Sequence, residues 1–424
     1  MSYVHNPRIV IVGAGFGGIA VAQGLRDQPV DITLIDRQNH HLFQPLLYQV
    51  ATAGLSPAEI AWPVRQLMRR QTNAHVLMGE VTSIDTGRKV VMLDGGPIAY
   101  DLLVLATGAT HGYFGHDEWA AHAPGLKTLD DAIGIRRRIL LAFERAEMTS
   151  NPAECARLLT IAIVGGGPTG VELAGAVAEL SRRALARDFR AIDPTRTRVI
   201  LIEAGPRLLA NFPERLSRYT ADALARIGVE VRLGQAVTDC TAEGVQIGPE
   251  IVHAATVVWA AGVRASAAAS WLGIEPDRAG RVPVLPDLSA PGQADIWVIG
   301  DTASAKNPDR TPQPGIAPVA KQQGAYVARA LIARTQGRAA PPPFVYRDRG
   351  LLATIGRKAA VIAYRKLRLT GWIAWWIWGA AHVYFLVSLR NRIIVVTQWL
   401  WAYVVFERGA RLITGALRDR PPPR

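Results

Sequence analysis

One pattern occurs twice in this chain and constrains its fold more than any other feature. Ile9-Val10-Ile11-Val12 runs into Gly13-Ala14-Gly15-Phe16-Gly17-Gly18, then Ile19 to Leu25, then Ile32-Thr33-Leu34-Ile35 ending at Asp36. Ile161-Ala162-Ile163-Val164 runs into Gly165-Gly166-Gly167-Pro168-Thr169-Gly170, then Val171 to Leu180, then Val199 to Ile202 ending at Glu203. Each copy reads as a buried strand, a tight turn, a helix and a second strand. The first glycine permits the turn, the second leaves room for a pyrophosphate, and the third lets the helix pack closely on the strand. The helix N-terminus then offers unpaired N–H groups to phosphates, and the terminal acid takes ribose hydroxyls. A lone GxGxxG is weak, because glycine-rich turns after strands are common. Two complete copies predict an α/β chain with two Rossmann-type dinucleotide-binding folds. The acid lies 18 residues beyond the third glycine in the first copy and 33 in the second, so an extended connection is expected around Arg182 to Arg198.

Three more strands end in glycine motifs. Leu102 to Leu105 leads into Ala106-Thr107-Gly108, Val257 to Ala260 into Ala261-Gly262, and Ile296 to Ile299 into Gly300-Asp301. An Asp beside a Gly at a strand end can receive a ribityl or phosphate-side contact, or be a turn residue only. An acid at the end of the second copy favours a free 2′-hydroxyl, hence NAD over NADP, with Arg207 nearby as the counter-argument.

Composition narrows the class. With 424 residues, 49% apolar and 20% charged, the chain is globular and large enough for about two or three domains. Its two cysteines, Cys155 and Cys240, lack CxxC spacing, which excludes a disulfide framework and a thiolate metal site. They read as small core residues. The apolar run after Arg8 reads as the first strand and helix, not as a signal peptide. From Phe344 onward there are 14 Lys/Arg against 3 Asp/Glu, a net of +11 out of the chain's +13, together with six of its 11 tryptophans. Nucleic acid is one reading of such a basic segment. Dense Trp and long apolar runs favour a membrane surface instead. Leu369 to Leu389 is a 21-residue run without a formal charge, and Ile393 to Phe406 another of 14. With Arg390 and Arg392 between them, and Arg365, Lys366 and Arg368 before them, a hairpin lying on an anionic lipid leaflet is expected rather than a full span. A homodimer interface is the competing reading. Gln336 to Phe344 reads as a linker and Arg418 to Arg424 as a disordered tail.

The order of these glycine motifs resembles the two-dinucleotide flavoprotein reductases. His41-Leu42-Phe43-Gln44-Pro45-Leu46-Leu47-Tyr48-Gln49-Val50-Ala51, Gly170-Val171-Glu172-Leu173-Ala174-Gly175 and the basic tail beginning Gly350 to Gly356 look like type II NADH:quinone oxidoreductase. The likeness spans nearly the whole chain. It implies non-covalent FAD, NADH as substrate, a membrane quinone as acceptor, no proton pumping, and a monotopic place on the cytoplasmic face of the inner membrane. It implies an FAD domain at 1–115 and 275–343, an NADH domain at 116–274, and an amphipathic helical membrane module at 344–424. The flavin then falls to Gly13, Gly15, Gly18, Asp36, Val81, Thr107, Gly108, Asp301 and Ala320. NADH falls to Gly165, Gly167, Gly170, Glu203 and Gly262. One departure is Pro318, in Ala317-Pro318-Val319-Ala320-Lys321-Gln322-Gln323, where the family often has glutamine. Gln322 stays as the quinone-side candidate.

Hydride transfer between two cofactor rings needs no acid, base or metal. Quinone reduction must match two electrons with two protons, and Glu172 is the candidate relay if burial raises its pKa. Its other reading is support for the nicotinamide ribose or the helix start. His40 and His41 point to opposite faces of an extended segment. The absence of cysteine near Phe43 to Ala51 argues against disulfide and sulfide:quinone reductases. A reductase of a soluble acceptor such as ferredoxin, and a non-catalytic NAD(H)-sensing membrane protein, are the alternatives.

Overall fold

The computed structural model describes residues 6–186, 188–386, 389–405 and 410–414. The tail at Arg418 to Arg424 lies outside them. The chain divides into two compact units. The first comprises Met1–Leu42, Ala61–Thr110 and Val263–Arg349, the second Phe43–Ile60, His111–Gly262 and Gly350–Arg424.

The first unit is built on a six-stranded sheet, in the order Ser289–Ala290, Gln293–Val298, Leu102–Leu105, Arg8–Val12, Asp31–Asp36, Ala74–Met78. All pairs are parallel except the first. Strand alternation sends Ile9 and Ile11 to one face, against Val21 of the glycine helix Phe16–Gly24, its C-cap Leu25, and Tyr326, Val327 and Leu331 of the helix Ala317–Thr335. Val10 and Val12 go to the other face, against Val91, Tyr100 and Ala268. Burial on both faces explains why these strands read as unbroken apolar runs.

The second unit repeats the plan with four parallel strands, in the order Val229–Leu233, Arg198–Glu203, Thr160–Val164, Thr256–Trp259. Its glycine helix is Pro168–Glu179. The extended connection begins as a π-helical turn over Leu180–Ala184, and Pro194–Arg196 adds a 3-10 turn.

Both units carry a three-stranded antiparallel meander that the glycine pattern did not announce. It is Val81–Asp85, Val90–Leu93 and Gly96–Ala99 in the first, and Val237–Thr241, Gly244–Ile247 and Glu250–His253 in the second. These strands are short and only half buried, so their hydrophobic period is faint.

Residues 350–424 group with the second unit, and so do Phe43–Ile60. The C-terminal segment opens as an antiparallel sheet, Leu351–Ile355, Ala359–Tyr364 and Leu367–Thr370, before turning helical over Gly371–Phe385 and Leu389–Val405. The 21-residue uncharged run is therefore split. Its first residues finish a strand, and the helix is 15 residues long. No helix among the described residues is long and apolar enough to cross a membrane.

Candidate functional site

The first glycine turn is dictated by close approach. Gly13 has φ +104, and a Cβ there would lie 2.2 Å from the Ala106 carbonyl oxygen. A Cβ on Gly18 would lie 1.8 Å from the Gly13 oxygen, so the helix can start only on glycine. Around Gly15 nothing lies within 4 Å of the Cβ position, and the helix beginning at Phe16 has no side-chain cap. That leaves open space beside the N–H groups of the helix's first turn, as a pyrophosphate requires. Ala14 N–H donates to Asp36 Oδ2 at 2.6 Å and Gln38 N–H to Oδ1 at 2.8 Å. Buried His41 braces the turn through Nδ1, 2.9 Å from the Ala14 oxygen, and burial pushes its pKa down.

Three distant segments close the far side of this site. Thr107 Oγ1 bonds Ser266 Oγ at 2.5 Å and Thr302 Oγ1 at 3.1 Å, and Thr302 donates to the Gly108 oxygen at 3.2 Å. Gly108, φ +70, is open, and Gly300, φ +71, presents Asp301. Ala320 packs against Gly17 and Gly300 at the start of its helix. Buried Val81 begins the meander. Gln323 accepts the Gly300 N–H at 2.6 Å and donates to Gln313 at 3.0 Å. Pro318 occupies the first turn of Ala317–Thr335, where a missing N–H breaks no helical bond.

The second turn repeats the logic. Gly165 has φ +114 and backs onto Ala260 and Ala261, within 2.8 Å of a Cβ. A Cβ on Gly170 would lie 1.8 Å from the Gly165 oxygen, while Gly167 faces open space. Glu203 accepts from Gly166 N at 2.5 Å and Gly205 N at 2.7 Å. Arg207 donates to the carbonyls of Phe212 and Ala210, at 2.8 and 2.5 Å, so its guanidinium is committed to the backbone rather than poised for a 2′-phosphate.

On the same glycine helix Glu172 is buried, and it accepts a long bond from Thr354 N–H at 3.3 Å. Desolvation pushes its carboxyl up to about 8, against a slight lowering by that bond. At neutral pH it therefore holds a proton. Glu179, seven residues on, accepts the Arg357 N–H at 2.6 Å, so two acids of one helix meet the hairpin that follows Gly350.

Residues 7–324 match the pyridine nucleotide-disulphide oxidoreductase family. The type II NADH:quinone oxidoreductase Ndh of Mycobacterium tuberculosis is 43% identical over 422 residues, 96% of this chain and 90% of that protein. The chain belongs to the type II NADH:quinone oxidoreductases. NdhA of the same organism, also named a type II NADH:quinone oxidoreductase, is 42% identical over 97% of this chain and 90% of its own length. Among solved structures, NDH2 from Plasmodium falciparum in complex with NADH superposes with a TM-score of 0.88, covering 97% of this chain and all of that one at 20% identity.

Within this type II oxidoreductase the remaining candidates fall as follows. The Gln322 amide is engaged twice with the Arg347 backbone, donating to its oxygen and accepting its N–H, each at 3.0 Å. Its neighbour Gln323, not singled out by the sequence, is the one tied to the Gly300 turn. Cys155 is half-buried on the helix Pro152–Leu158. Cys240 lies in the core, with its thiol pushed up to about 12 by burial, too high for a ready thiolate. His40 lies outside the core and bonds Asn39 at 3.0 Å.

Two titratable groups in the second unit were missed, the buried Glu59 and the half-buried His382. His382 bonds the Trp378 oxygen through Nδ1 at 2.7 Å, and burial pushes its pKa down to about 4. Glu59 accepts the Ser56 N–H at 2.7 Å and a bond from Gln398, with its pKa raised by burial. The Ser56-x-x-Glu59 spacing of a capping box is the signal that points to it.

Proposed function

We propose that this chain is a respiratory NADH dehydrogenase that oxidises NADH and delivers the electrons to a membrane quinone, with FAD held non-covalently by the first glycine fold. The observation that carries the reading is the pair of turns, each open at its central glycine and each braced by a terminal acid. The residues fit FAD. Gly13, Gly15 and Gly18 make the phosphate cradle, Asp36 faces the ribose side, and Thr107, Gly108, Asp301, Ala320 and Val81 line the rest. When bound, FAD supplies the acceptor for a hydride and passes the electrons on. Gly165, Gly167 and Gly170 cradle the NADH pyrophosphate, Glu203 takes the adenosine ribose, and Gly262 lies at the nicotinamide end. Hydride transfer asks the chain only to orient and to exclude water. It builds no proton gradient by itself.

Reduction of a quinone consumes two protons. Glu172, protonated up to about pH 8, is the group in the second unit positioned by chemistry to hold one. Gln322 stands as the acceptor-side residue, oriented by Arg347. The acceptor is a quinone rather than a soluble partner, because the C-terminal helices expose Trp372, Ile373, Trp376, Ile377, Tyr384 and Phe385 on one, and Ile393, Leu400 and Trp401 on the other. Arg365, Lys366 and Arg368 flank them. Such a surface suits a helical module lying in one leaflet, on the cytoplasmic face of the inner membrane, with anionic headgroups meeting the basic residues.

One set of measurements tests the reading. NADH, then NADPH, then a short-chain quinone is added to the purified protein while the flavin spectrum is recorded. Bleaching by NADH and recovery on quinone is the expected result; no yellow chromophore, or no bleaching, ends the reading. Flotation with vesicles of anionic lipid should carry the protein at low salt and less at high salt. Failure to float, with a concentration-dependent dimer in its place, gives the exposed helices to a second copy instead.

A further inference from the structure

Phe114 is a large apolar side chain left 74% exposed. Its backbone has φ +55, a region that bulky L-residues rarely occupy. Strained positions persist where the surroundings enforce them, and they cluster at ligand clamps. The surroundings here are specific. Tyr113, Trp119 and Trp259 are each buried, with Tyr113 stacked on Trp259 at 5.2 Å. Phe114 meets this cluster in a tilted, T-shaped contact with Trp259, 6.2 Å between ring centres and 62° between planes. The core therefore leaves most of the ring in solvent. Next to the ring is Gly262, φ +72, where a Cβ would lie 2.7 Å from both Phe114 Cζ and the Gly112 oxygen. The positive φ and the Gly112 carbonyl hold this position to glycine, and the aromatic ring lies against it.

The position of that ring along the nucleotide follows from the sheet. Thr160–Val164, which feeds the glycine turn, has Arg198–Glu203 on one side and Thr256–Trp259 on the other. Dinucleotides straddle such a turn at the strand ends. Glu203 marks the adenosine side. The opposite half then runs past Ala260 and Ala261, which back Gly165, to Gly262.

We propose that Phe114 is the aromatic platform on which the nicotinamide ring is positioned, an inference that rests on the NADH-oxidising reading above. An aromatic face attracts a second ring, and it attracts the pyridinium of NAD+ more, because that ring is cationic. Phe114 therefore positions the reduced substrate and holds the oxidised product harder.

The test uses Phe114→Leu, Phe114→Gly and Phe114→Tyr in the full-length flavoprotein. It measures KM for NADH, the inhibition constant of NAD+, and that of ADP-ribose, which keeps the adenosine and pyrophosphate but lacks nicotinamide. The Leu and Gly variants should raise the NADH KM about three- to tenfold and the NAD+ constant by more. ADP-ribose should stay within about twofold, and Tyr should behave as wild type. The Gly variant should melt at or above the wild-type temperature, since it relieves the φ strain. Unchanged NADH and NAD+ constants in Leu and Gly overturn the proposal, as does a parallel weakening of ADP-ribose. If wild-type protein itself fails to oxidise NADH, the functional reading falls and this inference with it. If wild type turns over and the variants are indifferent, this inference falls alone.

Discussion

The two glycine turns share a positive φ at their first glycine, +104 and +114, and the same 1.8 Å approach at their third, yet the helices they launch are put to different use. In the first unit the helix Phe16–Gly24 carries no ionisable residue. It lies so close to Ala317–Thr335 that a Cβ on Gly24 would come 2.6 Å from Ala328 Cβ, and one on Gly324 would come 2.4 Å from the Gly17 oxygen. That is helix packing by removal of side chains, and it binds the turn rigidly to the Gly300–Asp301 segment. In the second unit the helix Pro168–Glu179 carries Glu172 and Glu179 and meets a hairpin through their carboxyls. The motif says that a dinucleotide binds. What packs on each helix differs, and that difference is where a resident cofactor and a departing substrate can be told apart by experiment.

The largest expected effect separates these roles outright. Gly18→Val and Gly170→Val each force a side chain into a backbone oxygen 1.8 Å away. Gly18→Val should give colourless or insoluble protein. Gly170→Val should give yellow protein with NADH oxidation reduced by about two orders of magnitude or more. An absorbance ratio and a turnover assay decide it, and loss of flavin from both variants would break the comparison.

Next comes Glu172→Gln. If Glu172 holds a proton for the acceptor step, quinone turnover should fall on the order of a hundredfold while flavin bleaching by NADH persists. Unchanged turnover would leave Glu172 a structural residue. Stability gives a second readout. Because its folded value is raised, the fold keeps the proton that the unfolded chain has lost. Stability therefore declines as pH climbs from about 4.5 toward about 8. The Gln variant lacks that decline, which thermal melts across the range would show.

The smallest effect concerns Glu203. Glu203→Ala should raise the KM for NADH about tenfold, from the loss of a charge-assisted bond to ribose. It should gain little toward NADPH, since Arg207 is held by backbone carbonyls. Efficient use of NADPH by this variant would show that Arg207 can be released.

The parallel cores, the glycine geometry and the terminal acids were legible because tight turns and doubly buried strands leave few residue choices. Gly13, Gly18, Gly165 and Gly170 stand where any Cβ collides. The meanders were not legible, since residues such as Thr82 and Ser83 blur a half-buried strand's period. Burial of Glu172 was anticipated as a condition, but nothing local foretells that residues 350–355 supply its backbone neighbour. Gln323 hid behind Gln322 for a related reason. Adjacent helical positions point different ways, and only the helix phase shows which one faces the Gly300 turn.

The bracing of Asp36 and Glu203 by the turns' own N–H groups has a consequence for speed. Each acid is already oriented by the backbone N–H of Ala14 or Gly166. A ligand arriving at such a turn meets a mould set when the chain folded, so little ordering remains to be done on encounter. For the second turn, where a nucleotide must arrive and depart in every cycle, that readiness lets exchange keep pace with the chemistry.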